Sequence, residues 1–165
     1  MTRLEQIVAS LEAPVTYGDM CIPISGVAYD SRQIRPGWLF VAIRGERSDG
    51  HKFVDSAIKN GAVAVIAENS PGEEHKGFPW IKVADTRKAL GQTSAVFFKR
   101  PTSKLVLVGI TGTNGKTTLT YLLESILKAA GYSPGVVGTV SYRWNLIEQT
   151  AKHTTPEASD LQDLF

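Results

Sequence analysis

Apolar positions near the N-terminus recur at helical spacing, with Leu4, Ile7, Val8 and Leu11 interrupted by Glu5 and Glu12, and this pattern predicts an amphipathic helix. Thr2 and Glu5 stand in capping-box register at its start. The pattern then changes period: Val27, Ala28 and Tyr29 alternate, and residues 38–43 run apolar without a break up to Arg44 and Gly45. Both read as strands. Asp49 is placed to cap a helix carrying Phe53, Val54, Ala57 and Ile58, Gly61 to end it, and residues 62–67 to follow as a buried strand. Residues 80–83 give one more strand. Asp85 caps a last helix, through Leu90 and Phe97, that must stop before Pro101.

Residues 1–101 therefore read as one small α/β domain, and the Pro and small polar residues at 101–104 as the connector to a second domain over 102–165. In that second part residues 105–110 are uniformly apolar. The next helix places Leu119, Leu122, Leu123, Ile126 and Leu127 on one face, with Gly131 at its C-terminal end. Residues 136–140 read as a second buried strand of a parallel sheet. Pro156 and Glu157 open a final helix, with Glu157 in capping-box register to Thr154. Two strands and two helices are too few for a sheet covered on both faces, so the chain reads as a piece of a longer protein.

Composition narrows the function classes. The chain has 165 residues, 42% of them hydrophobic and 21% charged, with a formal charge of +2, and its Lys and Arg are scattered singly. Nothing forms a basic stripe for nucleic acid or a membrane surface. No apolar run approaches the ~20 residues that span a bilayer, and the N-terminal helix is amphipathic, unlike a signal peptide. A cytoplasmic protein without membrane insertion is expected. Cys21 is the single cysteine, which excludes an internal disulfide and a thiolate metal cage; a buried, inert thiol is expected. His51, His75 and His153 are too widely spaced for a metal cluster and are expected in surface or hydrogen-bonding roles. The three tryptophans, Trp38, Trp80 and Trp144, are expected in cores or interfaces.

The chemistry concentrates where the apolar run 105–110 meets the following helix. Gly112, Thr113, Asn114, Gly115, Lys116, Thr117 and Thr118 form a phosphate-loop sequence in the strand-to-helix context such a loop requires. Glycines let successive backbone N–H groups converge on an anion, and the helix N-terminus adds partial positive charge. Lys116 would reach the β- and γ-phosphates of a nucleotide, and the Thr117 hydroxyl would ligate Mg²⁺. The strict motif wants Gly five residues before Gly115, where Ile110 stands; Gly112 supplies the flexibility instead.

This loop resembles the ATP-binding loop of the Mur ligases, in which a glycine at the place of Gly112 is the family pattern. Upstream, Asp30, Ser31, Arg32, Pro36, Gly37, Gly45, Asp49, Gly50, His51 and Phe53 resemble the family's N-terminal UDP-binding domain. Downstream, Gly138, Thr139, Tyr142, Arg143, Thr154, Thr155, Pro156, Glu157, Leu161 and Gln162 are most similar to the branch that adds a diamino acid. The resemblance implies an α/β protein, with a small UDP-binding domain followed by the start of a phosphate-loop, parallel-sheet domain. It also implies ATP-driven addition of meso-diaminopimelate or L-lysine to UDP-N-acetylmuramoyl-L-alanyl-D-glutamate through an acyl phosphate.

Roles for single residues follow from the same resemblance. Ser31 would hold the UDP group, Thr154 and Thr155 the muramoyl-dipeptide, and Glu157 would join Thr117 on Mg²⁺. Residues 46–48 align with a stretch that helps hold UDP in some relatives. From the residues alone Glu157 is equally a helix cap, and a purely structural turn is the lesser alternative for Ser31. The branch that adds D-alanyl-D-alanine shares the upstream segments and is the alternative within the family. A nucleotide-binding module without catalysis is the alternative outside it, since the family's modified lysine and amino-acid pocket fall beyond these residues.

Overall fold

The apolar runs of the first hundred residues become the inner strands of one sheet. In the computed structural model, which describes every residue except 46–47, 146 and 152–154, the elements come in the order β1 (Thr2–Arg3), α1 (Leu4–Val8), β2 (Val15–Tyr17), β3 (Pro23–Ile24), β4 (Gly26–Ala28), β5 (Trp38–Val41), α2 (Val54–Lys59), β6 (Ala62–Ala67), β7 (Trp80–Lys82) and α3 (Thr86–Phe97). Strands β4, β5, β6 and β7 are parallel neighbours, and β2 closes the far edge antiparallel to β7. The short β1 pairs separately with β3.

Side chains of successive strand residues point to opposite faces, and both faces here are covered. Leu39, Val41, Ala64, Ile66 and Ile81 pack on one side with Leu4 and Ile7 of α1 and Ala89 and Leu90 of α3. Phe40, Ala42, Val65 and Ala67 pack on the other with Val54 and Ala57 of α2. Continuous apolar strands are what a sheet buried on both faces demands, and each large side chain so buried contributes about 1.5–3 kcal/mol. Gly61 turns the chain from α2 into β6 at φ 103°, against Pro36, whose Cα lies 2.8 Å from where a Cβ would stand. No other residue fits there.

Local details differ from the sequence reading. Thr2 does not cap α1, because it pairs with Ile24 in the β1–β3 ladder. The cap position falls on Arg3, whose N–H donates to Gln6 Oε1 at 2.9 Å, and arginine has no acceptor to complete a reciprocal box. Asp49 caps a 3₁₀ turn, Gly50–Phe53, rather than α2 itself, with Oδ1 accepting from the His51 N–H at 3.0 Å. Asp85 does cap α3, accepting from the N–H groups of Arg87 and Lys88 at 2.8 and 2.9 Å. Cys21 is exposed rather than buried; its thiol donates to Glu5 Oε2 at 3.5 Å, and that carboxylate raises the pKa of the thiol.

The second compact unit comprises residues 105–157, with α4 (Lys116–Ala129), β8 (Val136–Val137), β9 (Ser141–Trp144) and β10 (Ile147–Thr150). These three strands form an antiparallel sheet in the order β10-β9-β8. The β9–β10 hairpin turns at Asn145, φ 51°, a residue that tolerates the left-handed region. Neither parallel strand expected here is present. Residues 105–110 join no ladder, with Val106 96% exposed, and only Val136 and Val137 of the 136–140 run pair, antiparallel to β9. A parallel strand is held by bonds to its neighbours, and none is available among the described residues. For the same reason Leu119, Leu122 and Ile126 on the apolar face of α4 are exposed.

The partition itself departs from the one expected. The first unit runs to Lys104, since residues 101–104 form a 3₁₀ turn, and it also takes residues 158–165. The last helix, α5 (Ala158–Leu164), packs against α3. Ala158 joins the core cluster on that face, and Tyr29 Oη donates to Asp160 Oδ2 at 2.8 Å. The packing of partly buried Ala158 against that core and this long-range hydrogen bond place α5 in the first unit despite its position in sequence.

Candidate functional site

Two sites are built separately, one in each unit. In the second, Gly115 stands at the N-cap of α4 in the left-handed region, φ 77° and ψ −3°, and no side chain caps the helix. The first intrahelical bond runs from the Leu119 N–H to the Gly115 carbonyl at 2.9 Å. The N–H groups of Lys116, Thr117 and Thr118 precede it and lie at the positive end of a 14-residue helix, where an anion is stabilised. Gly112 is also at positive φ, 150°. Lys116 bends back so that Nζ donates to the Gly112 carbonyl at 2.5 Å. Gly112, Thr113, Asn114 and Gly115 thus curl beneath the Lys116 ammonium, and the loop is exposed.

Thr117 follows Lys116 on the first turn of α4. Thr155 and Glu157 lie in the same unit, whereas Thr154 falls outside the described residues. Glu157 is not at the third helical position that a capping box needs, since α5 begins only at Ala158. Among the described residues no group of three or more His, Cys, Asp or Glu could hold a metal ion. The oxygen donors of Thr117 and Glu157 suit a hard cation that fills its remaining positions with phosphate oxygens and water, which is how Mg²⁺ is usually bound.

In the first unit the parallel strands end together at one edge of the sheet, where ligands of open α/β sheets commonly bind. Past β4, Asp30 caps the 3₁₀ turn Ser31–Gln33. The Arg32 guanidinium grips the Asp30 carboxylate, with Nη2 to Oδ2 at 2.6 Å, and holds its pKa below the usual range. Ser31 is buried, and its carbonyl accepts from Asn60 Nδ2 at 2.9 Å.

A polar clasp that the sequence did not reveal closes the turn beyond β5. Gly45 N–H donates to the Ser48 carbonyl at 2.9 Å, and Arg44 bridges to Asp49. His51 Nδ1 lies 2.6 Å from Asp49 Oδ1, while Nε2 accepts from the Glu68 N–H at 2.9 Å. That pairing puts the imidazole proton on Nδ1. Arg44 Nε pairs with Glu68 Oε2 at 3.0 Å, and Glu68 Oε1 accepts from the Thr86 hydroxyl at 3.2 Å. The partners His51, Thr86 and Arg44 are 17, 18 and 24 residues from Glu68 and meet it only through the parallel crossovers. Ser48 is at the closed base of this turn; positions 46–47 of the expected UDP-contact stretch, like His153, lie outside the described residues.

A model of the Mur ligase family, catalytic domain, matches residues 23–98, and one of the Mur ligase middle domain matches residues 110–165. The chain belongs to the Mur ligase family. The UDP-N-acetylmuramoyl-L-alanyl-D-glutamate–2,6-diaminopimelate ligase of Geobacter sulfurreducens is 46% identical over 160 residues, covering 97% of this chain and 31% of that protein. The chain thus spans about a third of the length of the curated relatives it matches. Among solved structures, MurF from Acinetobacter baumannii aligns with TM-score 0.62 and 32% identity over 87% of this chain and 30% of that one. A diaminopimelate ligase structure aligns with TM-score 0.69 over 98% of this chain and 32% of that one, at 24% identity, a likeness of fold. The Mur ligase middle-domain match includes α5, the helix that packs with the first unit.

Proposed function

We propose that the chain carries the nucleotide-handling part of an ATP-dependent ligase that adds a diamino acid, meso-diaminopimelate or L-lysine, to UDP-N-acetylmuramoyl-L-alanyl-D-glutamate. The observation that carries this reading is the loop at the head of α4, with Gly115 left-handed and the Lys116 ammonium folded over the Gly112 carbonyl. A carboxylate oxygen of the dipeptide attacks the γ-phosphorus of ATP, the bond to the β-phosphate oxygen breaks, and ADP leaves. The diamino acid's amine then attacks the acyl carbon of the resulting acyl phosphate, loses its proton, and expels inorganic phosphate. Lys116 and the first amides of α4 offset the charge on the transferring phosphoryl group. Thr117 and Glu157 would hold Mg²⁺, which when bound neutralises phosphate charge.

Ser31, at the carboxyl edge of the sheet, would hold the UDP group, and Thr154 and Thr155 the muramoyl-dipeptide. The two domains of this reading are a UDP-binding domain over 1–101 and the start of the ATP-binding domain over 102–165. No described helix is long and apolar enough to cross a membrane; a cytoplasmic reaction is the reading that nucleotide substrates support.

The test is Lys116→Ala in the full-length ligase carrying this sequence. Loss of charge compensation should lower kcat/KM by several orders of magnitude, and unchanged turnover would overturn the reading. The 32% identity to MurF favours one second reading, addition of D-alanyl-D-alanine. Supplying the same enzyme with the dipeptide substrate and a diamino acid, and separately with the diaminopimelate-extended substrate and D-alanyl-D-alanine, separates the two.

A further inference from the structure

The second unit holds one charged cluster that the proposed chemistry does not use. Glu124 on α4 and Arg143 on β9 are both shielded, with side chains 10% and 14% exposed, and Arg143 Nη2 pairs with Glu124 Oε2 at 2.6 Å. Lys128 Nζ takes the other carboxylate oxygen at 2.8 Å. The Arg143 guanidinium lies 4.3 Å from the centre of the Tyr121 ring. Its Nη1 donates to Tyr121 Oη at 3.2 Å and to Ser141 Oγ at 2.7 Å. Such a planar fork stacked on an aromatic and paired with a carboxylate is geometry that arginine supplies and lysine does not. Arg143 holds Glu124 ionised, depressing its pKa, with Lys128 adding to the effect.

The cluster's place on α4 gives it a consequence. Thr117, Tyr121, Glu124 and Lys128 are spaced by four, three and four residues, so they form a single stripe along the helix. Arg143 grips the middle of the stripe that begins with Thr117. At 100° per residue, a slip of α4 by one position would turn Thr117 and Lys116 well away from their present directions. The grip comes from β9, the central strand of the antiparallel sheet.

We propose that Arg143 is a positioning residue for the phosphate loop: by clamping Glu124 and Tyr121 it fixes the rotation of α4, and with it the placement of Thr117 and Lys116. This rests on the phosphate-loop reading above. An ion pair shielded from water and backed by an aromatic face resists rotation more than exposed apolar contacts do, and the apolar stripe of α4 is largely exposed within this unit.

The test uses the full-length ligase with Arg143→Met, Arg143→Lys, Glu124→Gln and the Met/Gln double variant. Steady-state KM for MgATP, kcat, and MgADP affinity by calorimetry are read beside the melting temperature. Arg143→Met should raise the KM for MgATP about tenfold, more than it lowers kcat, with MgADP affinity falling by the same factor and the KM for the UDP substrate unchanged. Arg143→Lys, which keeps the charge and loses the fork, should recover part of that loss. The double variant should be no worse than the poorer single one, because one interaction is being removed twice. A lower melting temperature with parental KM for MgATP, or strictly additive losses, overturns the proposal. Lys116→Ala in the same assays keeps the two ideas apart: if it is inactive while Arg143→Met has the parental KM, the clamp fails and the phosphate loop stands.

Discussion

Replacing glycine by alanine at positions 115 and 91 makes the same covalent change in two helices and should move stability in opposite directions. At both positions the space a Cβ would occupy is open, with nothing within 4 Å, so neither change carries a clash and backbone conformation alone decides the sign. Gly91 sits inside α3; alanine there removes freedom from the unfolded chain and should stabilise by about 0.5–1 kcal/mol. Gly115 caps α4 at φ 77°, where an L-residue pays about 1–2 kcal/mol. The two variants should therefore differ by about 1.5–3 kcal/mol, several degrees in melting temperature for a domain of this size. A functional arm follows. Relief of the strain at position 115 rotates the peptide that carries the Lys116 N–H, so Gly115→Ala should also weaken MgADP binding, while Gly91→Ala leaves it at the parental value. Scanning calorimetry and MgADP titration of the full-length ligase measure both. A Gly115→Ala protein with parental stability and parental MgADP affinity would refute the assignment of that residue to a strained phosphate loop.

Three further outcomes are expected. Ser31→Ala should weaken binding of the UDP substrate by about 1–3 kcal/mol if its hydroxyl meets the ligand in a dry site; equal affinities by calorimetry would assign Ser31 to the turn alone. Glu124, whose folded pKa lies below its ordinary 4.5 chiefly because of Arg143, contributes stability that is fully present above that value and is lost as pH falls through the lower folded one. Unfolding curves taken between neutral and acid pH should show this loss in the parent and a smaller one in Glu124→Gln. Glu157→Gln should keep the parental melting temperature within a few degrees yet require more magnesium for activity, and an ordinary magnesium dependence would remove Glu157 from the metal site.

What could be read from the sequence was set by how local the determining interaction is. The apolar runs at 38–43 and 62–67, each bounded by turn residues, were legible as buried strands because both faces of the resulting sheet are covered by helices from the same hundred residues. Asp85 was legible as a cap because its partners are two and three residues away. The glycine turn at the head of α4 was legible because Gly112 and Gly115 meet a backbone requirement of their own, both at positive φ. The His51 clasp was only half legible: Asp49 lies two residues from His51, but Glu68 meets it only after the crossover through α2 sets β5 beside β6. The β9–β10 hairpin did leave a signal, with strand-forming residues on both sides of Asn145, a turn former; this signal went unused.

The second unit shows what happens when the deciding partner is distant. Residues 105–110 and 136–140 have the composition of inner parallel strands, and composition is all that a single strand can express; pairing belongs to its neighbours. With none among the described residues, the first run stays unpaired and the second forms two antiparallel pairs with β9. The start of α5 shows the same competition at close range. Thr154 and Glu157 have capping-box spacing, but Ala158 and Asp160 are drawn onto α3 and Tyr29, and the helix begins after Glu157 rather than before it. Tertiary packing thus takes Glu157 out of the register that would have tied its carboxylate to a helix end. The role that the family resemblance implies for Glu157, an oxygen ligand beside Thr117, is decided by the magnesium dependence of Glu157→Gln rather than by helix capping.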